Sequence, residues 1–363
     1  MGEQEKRYIK GYDFYFWEYE EQTKIKHQVL KEYIDKWIKI VGSYSKLNYF
    51  DCFGGCGAYI EKNKIYYGSP VITGKIIDQN NLKLNRQVNL IIIDLEKENT
   101  DNIKKIFEFN KIKVKPYIIN NDFDNEINKI LDTGTLAPTF FFIDPFGFRI
   151  KYSTLQRIMK NPKSEVLLNF MFNSINRFLI DSLENTLNDL FGTDKWKQAK
   201  SLSGKKRENL LKDIFENNLR NIANFVYSYR INFPNIDRTY YYLIHLTNHR
   251  KGCSIFKSCF ANINNGNIEF KGKKKNEMTF FDIRDVKLDE IKNCLLNRYI
   301  GQDLTYFNII DDIIDKTIYL EKDIRESLKQ LEKNEYIYIT RITSKKTGID
   351  GEDIIHFSQG SLL

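Results

Sequence analysis

Residues 47–60 read Leu-Asn-Tyr-Phe-Asp-Cys-Phe-Gly-Gly-Cys-Gly-Ala-Tyr-Ile, and the fold is decided here. Leu47 to Phe53 is a short apolar run that breaks into glycines at 54, 55 and 57. That order predicts a buried strand, then a tight turn, then a helix start. Glycine lets the backbone come close to a ligand and leaves its amide N–H groups open. The spacing Asp51-x-Phe53-x-Gly55-x-Gly57 is not GxGxxG, and GxxxxGK[ST] occurs nowhere in the chain. A dinucleotide fold and a P-loop are therefore disfavoured.

Outward from this stretch the same rhythm repeats. Upstream, Ile25, Val29, Tyr33, Trp37 and Ile40 predict an amphipathic helix over 23–40. Downstream, the run 88–93 ends on Asp94, and a polar helix follows over 99–110. The run 114–119 ends at Asn120-Asn121-Asp122, and 139–143 ends at Asp144-Pro145-Phe146-Gly147. A helix over 153–160 leads to a fifth strand at 166–170. Continuous apolar strands separated by helices are buried and parallel, and right-handed crossovers wind them into a doubly wound sheet. The segment 176–235 reads as a charged helical insertion with a basic knot at Lys205-Lys206-Arg207. Strand character returns at 239–246, with a second β segment expected around 254–260.

The stretch KGKKKN, 271–276, is a candidate linker between a first domain, 1–270, and a second, 277–363. The second domain shows three helical patterns, a strand at 336–342, a Lys/Gly turn at 344–348 and another short strand. Helices followed by such a strand pair suit a winged helix-turn-helix.

Composition sets limits. The chain has 363 residues, 42% hydrophobic and 29% charged, which is ordinary for a folded protein. No apolar run reaches the length of a membrane span, and the first twenty residues lack the apolar core of a signal peptide, so a cytoplasmic protein without a membrane partner is expected. Five cysteines without a CxxC pair, and only four histidines, argue against a disulfide framework or a zinc site. A net charge of +8 permits a polyanionic partner without requiring one.

Parallel α/β sheets bind ligands at the carboxyl ends of their strands, and four strands in succession end in or next to an aspartate. Asp94 is placed to accept from ribose hydroxyls, and Asp122 from an exocyclic amine of adenine. Together with Asp51 and the glycine turn, they suit a nucleoside without phosphates, as in S-adenosylmethionine. Plainer roles compete: Asp122 or Asp144 can cap a helix, with Pro145 at the first turn. His27 can be a packed residue, Lys205 to Arg207 a solvated loop, and the helix 322–333 a packing element.

DxFxGxG, an acidic second strand end and a DPPY-like motif resemble a class I methyltransferase. More narrowly, the chain resembles the three-Cys-motif partner protein family. The resemblance is carried by Lys24-x-x-His27, residues 51–59, Gly68-Ser69-Pro70, Phe142 to Gly147, Leu168-Asn169-Phe170 with Arg177, and YYLIHLTNHRKG. It implies a Rossmann-like class I methyltransferase sheet with a helical insertion and a C-terminal winged-helix-like domain. The three cysteines for which the family is named belong to a partner similar to radical enzymes, not to this chain. A similar lysine-histidine helix and a glycine turn followed by tyrosine, here Tyr59, occur in ribosomal RNA adenine-N6 methyltransferases. That likeness implies S-adenosylmethionine as cofactor and a nucleic acid, DNA or RNA, as substrate. Asp144 and the Pro145 carbonyl would each accept an N–H of a base amino group, with Phe146 stacked on the unpaired base. Lys24, His27, Tyr59, Arg177 and the basic knot would face the nucleic acid. Where DPPY is expected the chain has DPFG, which favours a second class of function: a non-catalytic adenosyl- and DNA-binding partner of another enzyme. A metal-dependent nuclease built on the four aspartates is the third.

Overall fold

The computed structural model describes residues 4–42, 46–84, 87–233, 236–263, 280–342 and 348–358. The candidate linker, 271–276, and most of the turn at 344–348 lie outside the described residues. The chain divides into two compact units, Met1–Gly272 and Lys273–Leu363.

In chain order the first unit begins with β1 (Arg7–Tyr8), β2 (Tyr15–Glu18) and α1 (Glu21–Val41). Next come β3 (Leu47–Asp51), β4 (Ala58–Glu61), β5 (Lys64–Tyr67) and α2 (Ser69–Leu84). The alternation continues with β6 (Val88–Asp94), α3 (Lys97–Phe109), β7 (Tyr117–Asn120), α4 (Phe123–Asp132), β8 (Thr139–Ile143), α5 (Tyr152–Met159) and β9 (Ser164–Phe170). Three helices follow, α6 (Phe172–Arg177), α7 (Glu184–Phe191) and α8 (Gly204–Arg220), then β10 (Phe225–Asn232), β11 (Thr239–Thr247) and α9 (Arg250–Ile263).

Seven strands form the central sheet in the order β10-β11-β9-β8-β3-β6-β7. The pairs β3·β6, β3·β8, β6·β7 and β8·β9 are parallel, whereas β11 runs antiparallel to both β9 and β10. This is the doubly wound, Rossmann-like sheet expected from the sequence, with one reversed strand near an edge. Its central strands are continuous apolar runs because both faces are covered. Every residue of β8 and β9 is buried. On one face Phe141, Ile143, Val166 and Leu168 join Leu190 and Phe191 of α7 and Leu211 and Phe215 of α8, so these charged helices bury an apolar side against the sheet. The chain leaves β3 and returns through β8 on opposite sides, which makes the gap between their carboxyl ends the switch point where such sheets bind ligands.

Three expectations need correction. No helix starts in the glycine turn: β4 and β5 follow it as a hairpin whose turn residues Lys62 and Asn63 take positive φ of 46° and 65°. The helical insertion ends earlier than 235, because 225–232 is β10, paired along β11. The β segment expected at 254–260 is helical: Cys253, Phe256, Lys257 and Phe260 are buried at three- and four-residue spacing in α9.

Outside the main sheet, β1-β2-β4-β5 make a small sheet in which β2 lies parallel to β4. The aromatic N-terminal segment thereby folds back over the glycine turn. Asn102 of α3 completes the pairing, accepting from the Tyr15 amide at 2.9 Å and donating to the Tyr15 carbonyl at 3.0 Å.

The second unit holds α10 (Phe280–Tyr299), β12 (Asp303–Thr305), α11 (Tyr306–Ile313), α12 (Glu321–Lys333), β13 (Ile337–Thr340) and β14 (Ile354–Phe357). Its sheet runs β12-β14-β13, antiparallel throughout. Among the described residues no helix is long and apolar enough to cross a membrane.

Candidate functional site

At the end of β3, Asp51 is fully buried. Neither of its carboxylate oxygens makes a hydrogen bond of good geometry. Burial pushes its pKa up to about 8, while the nearby Ser69 hydroxyl and Phe53 amide hold it back and the charges of Asp144 and Asp94 raise it further. A buried polar group without a partner costs about 1–3 kcal/mol, so the Asp51 carboxyl at the switch point stands at an energetic cost to the fold.

The glycine turn is held from below by Asp94. One carboxylate oxygen accepts from the Gly55 amide at 2.7 Å, the other from the Glu96 amide at 2.9 Å and Asn99 Nδ2 at 3.0 Å. Burial raises the Asp94 pKa, and these three donors oppose the rise. Gly55 and Gly57 take φ of +60° and +78°, where side chains with a Cβ are strained. A Cβ on Gly55 would also stand 3.2 Å from the Trp17 ring, so β2 presses directly on the turn. Phe53 leaves the turn sideways and packs on Phe123.

Asp122 is the N-cap of α4, its Oδ1 accepting from the Asn125 amide at 3.0 Å. The capping role weighed for it in the sequence is thus realised. The other carboxyl that can cap, Asp144, does not start a helix: α5 begins only at Tyr152.

Asp144, at the end of β8, is gripped by a residue the sequence reasoning passed over. Lys26 Nζ donates to Asp144 Oδ1 at 2.7 Å and Oδ2 at 2.6 Å. Asn169, from the end of β9, donates its Nδ2 to the same Oδ1 at 2.6 Å. Asn169 is fully buried, and its own Oδ1 finds no donor. Beside them Pro145 is buried, whereas Phe146 is 57% exposed and meets Trp17 edge to face at 5.3 Å.

Around this mouth, His27 is buried and its Nδ1 shares a hydrogen bond of 3.0 Å with the Tyr19 hydroxyl. Burial, with help from the Lys26 charge, pushes His27 down to about 3, so the ring is neutral. Tyr59 packs between His27 and Trp17. Lys24 turns the other way, into ion pairs with Glu21 at 2.8 Å and Glu61 at 2.7 Å. Arg177 is exposed at the end of α6.

The basic knot is not a loop but the first turn of α8. Lys205 pairs with Glu208 at 3.1 Å, Lys206 is exposed, and Arg207 donates to the carbonyls of Ala199, Lys200 and Leu202. The Arg207 guanidinium therefore serves the fold locally. Among the described residues no group of three or more His, Cys, Asp or Glu side chains is placed to hold a metal ion.

The structure brings Asp51, Gly55, Gly57, Asp94, His27, Tyr59, Asp144, Pro145 and Phe146 to one end of the sheet, and adds Lys26, Asn169 and Trp17. Lys26 was legible in principle. Lys26, Leu30, Ile34 and Ile38 form one buried row at four-residue spacing, and a lysine in an apolar row asks for a buried anion.

No family model matches the chain, and no curated protein does. Solved structures that are similar include protein LPL1258 from Legionella pneumophila, of family model DUF519. It is 15% identical over 67% of this chain and 93% of its own, with a TM-score of 0.38. A putative rRNA-methylase from Clostridium thermocellum is 10% identical over 60% and 97%, at 0.31. The O-methyltransferase TomG from Streptomyces achromogenes, solved in complex with SAM, is 11% identical over 62% and 80%, at 0.35. Two of these three carry methyl-transferring activities in their names, one of them in complex with SAM, and likenesses of this size carry neither an activity nor a residue role to this chain.

Proposed function

We propose that this protein binds S-adenosylmethionine at the switch point between β3 and β8 and transfers its methyl group to a base amino nitrogen of a nucleic acid. The observation that carries the reading is the unpaired, buried carboxyl of Asp51 beside a glycine turn clamped by Asp94, with Asp144 near enough for its charge to act on Asp51. The residues fit the cofactor: Asp51 offers a buried carboxyl for its ammonium, and the Asp94 oxygen that accepts from Gly55, with one bond used, has room for a ribose hydroxyl. When bound, the cofactor supplies an electrophilic methyl on a sulfonium.

An exocyclic amine is a poor nucleophile because its lone pair is delocalised into the ring. Asp144 Oδ2 carries a single hydrogen bond, from Lys26, so it can accept one amine N–H. The Pro145 carbonyl can accept the other. Two such bonds draw the nitrogen toward a tetrahedral shape with its lone pair aimed at the methyl carbon. Asp144 would take one N–H proton from the amine and pass it to water when the methyl group that the bound cofactor supplies is accepted. Orientation supplies most of the rate. Phe146, exposed at the rim, gives a stacking face for an unpaired base.

Among its described residues the second unit has three helices and a three-stranded sheet, compatible with a winged helix serving the same nucleic acid. A partner of the three-Cys-motif kind belongs to the same proposal. One observation favours the non-catalytic reading: Lys26 and Asn169 already supply three hydrogen bonds to Asp144. The experiment is calorimetric titration with S-adenosylmethionine and S-adenosylhomocysteine, followed by methyl transfer from radiolabelled cofactor to single-stranded DNA and RNA. Binding with transfer lost in Asp144→Ala supports the enzyme. Binding without transfer to any strand supports the partner role, and no binding overturns both.

A further inference from the structure

The N-terminal arm is tied to the site by hydrogen bonds as well as by packing. Asn99 and Asn102 lie one turn apart on α3, and both are buried. Asn102 joins the arm to the glycine turn, since the Nδ2 that donates to the Tyr15 carbonyl also donates to the Cys56 carbonyl at 2.7 Å. Asn99 joins the arm to Asp94. The Tyr15 hydroxyl donates to Asn99 Oδ1 at 2.6 Å, and Asn99 Nδ2 donates to Asp94 Oδ1 at 3.0 Å. Tyr15, Asn99 and Asp94 are exposed by only 6%, 5% and 7%, so water does not compete for these bonds.

A carboxamide has a donor end and an acceptor end of nearly the same shape, and its neighbours decide which end faces which. Burial pushes the Tyr15 pKa up, so its hydroxyl keeps its proton and donates. That donor takes the Asn99 oxygen and turns the NH2 end toward Asp94. Reversed, the amide would set its oxygen against a carboxylate oxygen. Asp94 Oδ1 is thereby filled by two donors, Asn99 Nδ2 and the Glu96 amide, while Oδ2 takes the Gly55 amide alone. Burial raises the Asp94 pKa, and the Asn99 amide is foremost among the donors that oppose the rise. With that amide loose, the carboxyl turns and protonates more easily. A neutral carboxyl is a much weaker acceptor, because hydrogen bonds to an ionised group are roughly twice as strong.

We infer that Tyr15 is a positioning residue for the ribose: acting through Asn99, it holds Asp94 charged and oriented so that Oδ2 accepts a ribose hydroxyl of the adenosyl ligand. The inference rests on the cofactor reading above and is independent of whether a methyl group is transferred, and to what.

The test titrates the full chain calorimetrically with S-adenosylhomocysteine and with its 2′-deoxy and 3′-deoxy analogues. The wild type should bind one of the two deoxy ligands about tenfold more weakly, the size of one hydrogen bond to a charged group. Tyr15→Phe keeps the ring and removes only the hydroxyl. It should weaken S-adenosylhomocysteine about fivefold and the sensitive deoxy ligand less than about twofold, so that the discrimination collapses. Asn99→Ala should do the same, and the double variant should do no more than either single one. Phe14→Leu is the control: Phe14 packs the arm against Tyr12 and Phe109, outside the relay, so it should shift all three ligands by one common factor. Thermal unfolding without ligand checks that each variant is folded. Equal loss across the three ligands in Tyr15→Phe, discrimination that survives in it, or a wild type that binds all three alike overturns the inference and leaves cofactor binding standing. No binding of S-adenosylhomocysteine by the wild type overturns the cofactor reading, and the inference with it.

Discussion

Replacing Asp51 by asparagine should make the fold more stable and the cofactor site worse, and the size of the gain should depend on pH. The wild-type carboxyl is buried completely, and burial lifts its pKa from 3.8 to about 8. A folded-state pKa above the unfolded one means that its contribution to stability is complete below about pH 4 and is lost as pH rises through 8. Each pH unit inside that window is worth about 1.4 kcal/mol, so between pH 4 and pH 7 this one group gives up about 4 kcal/mol. Asp51→Asn does not titrate. Urea unfolding of the first unit at pH 5, 6 and 7 should show the variant gaining on the wild type by about 1.4 kcal/mol per unit. A second arm follows from the same pKa. At pH 7 the empty carboxyl is about nine-tenths protonated, so a cofactor ammonium that pairs with Asp51 should expel close to one proton. Calorimetry in two buffers of different ionisation enthalpy counts it, and Asp51→Asn should release none. A stability difference that stays constant with pH, or cofactor binding with no proton released, would refute the argument.

Gly55→Val forces a β-branched residue to φ +60° with its Cβ against Trp17, and should reduce cofactor affinity by at least tenfold while costing about 1–3 kcal/mol of stability, read by calorimetry and thermal unfolding. Asp144→Ala should leave cofactor affinity within a few fold and abolish transfer; transfer that survives sinks the proposed mechanism. His27 is held neutral with a folded pKa of about 3 against 6.5, so the stability it supports is complete above about pH 6.5 and is lost as pH falls toward 3. His27→Gln should therefore relieve a penalty of about 1.4 kcal/mol at pH 5.5 relative to pH 7.5, and an unchanged acid slope in unfolding curves would exclude the buried neutral ring. Nucleic-acid affinity should fall steeply between 50 and 200 mM salt if phosphates are contacted; a flat profile removes Arg177 and Lys206 from the binding surface.

The central sheet was legible because its strands advertise burial. Val88 to Ile93 and Thr139 to Ile143 are unbroken apolar runs that stop at an aspartate, and such runs fit only a strand covered on both faces. Strand β10 was less visible: Phe225, Tyr227, Tyr229 and Ile231 alternate properly, but the charged helices before them set the local impression. Helix α9 was misread because Ser254 to Phe260 is short and apolar, and such a run suits either state until the spacing of its buried positions is counted. Residues 58–67 form a hairpin because Lys62 and Asn63 take positive φ, a local preference that outweighed the usual strand-turn-helix order. In the site, the strand-end aspartates and the glycines were readable as a class. Of their partners only Lys26 left a trace, in the apolar row of α1; which anion it meets, and that Asn169 and Trp17 join it from β9 and β2, is decided by the tertiary fold alone.

The ring of Trp17 stands between the glycine turn and Phe146, touching both neighbourhoods at once. Were a ligand to reach the turn only when Trp17 and Phe146 part, that opening step would scale its arrival and its departure by one common factor, and shortening the Trp17 side chain would speed both while leaving the equilibrium affinity where it was.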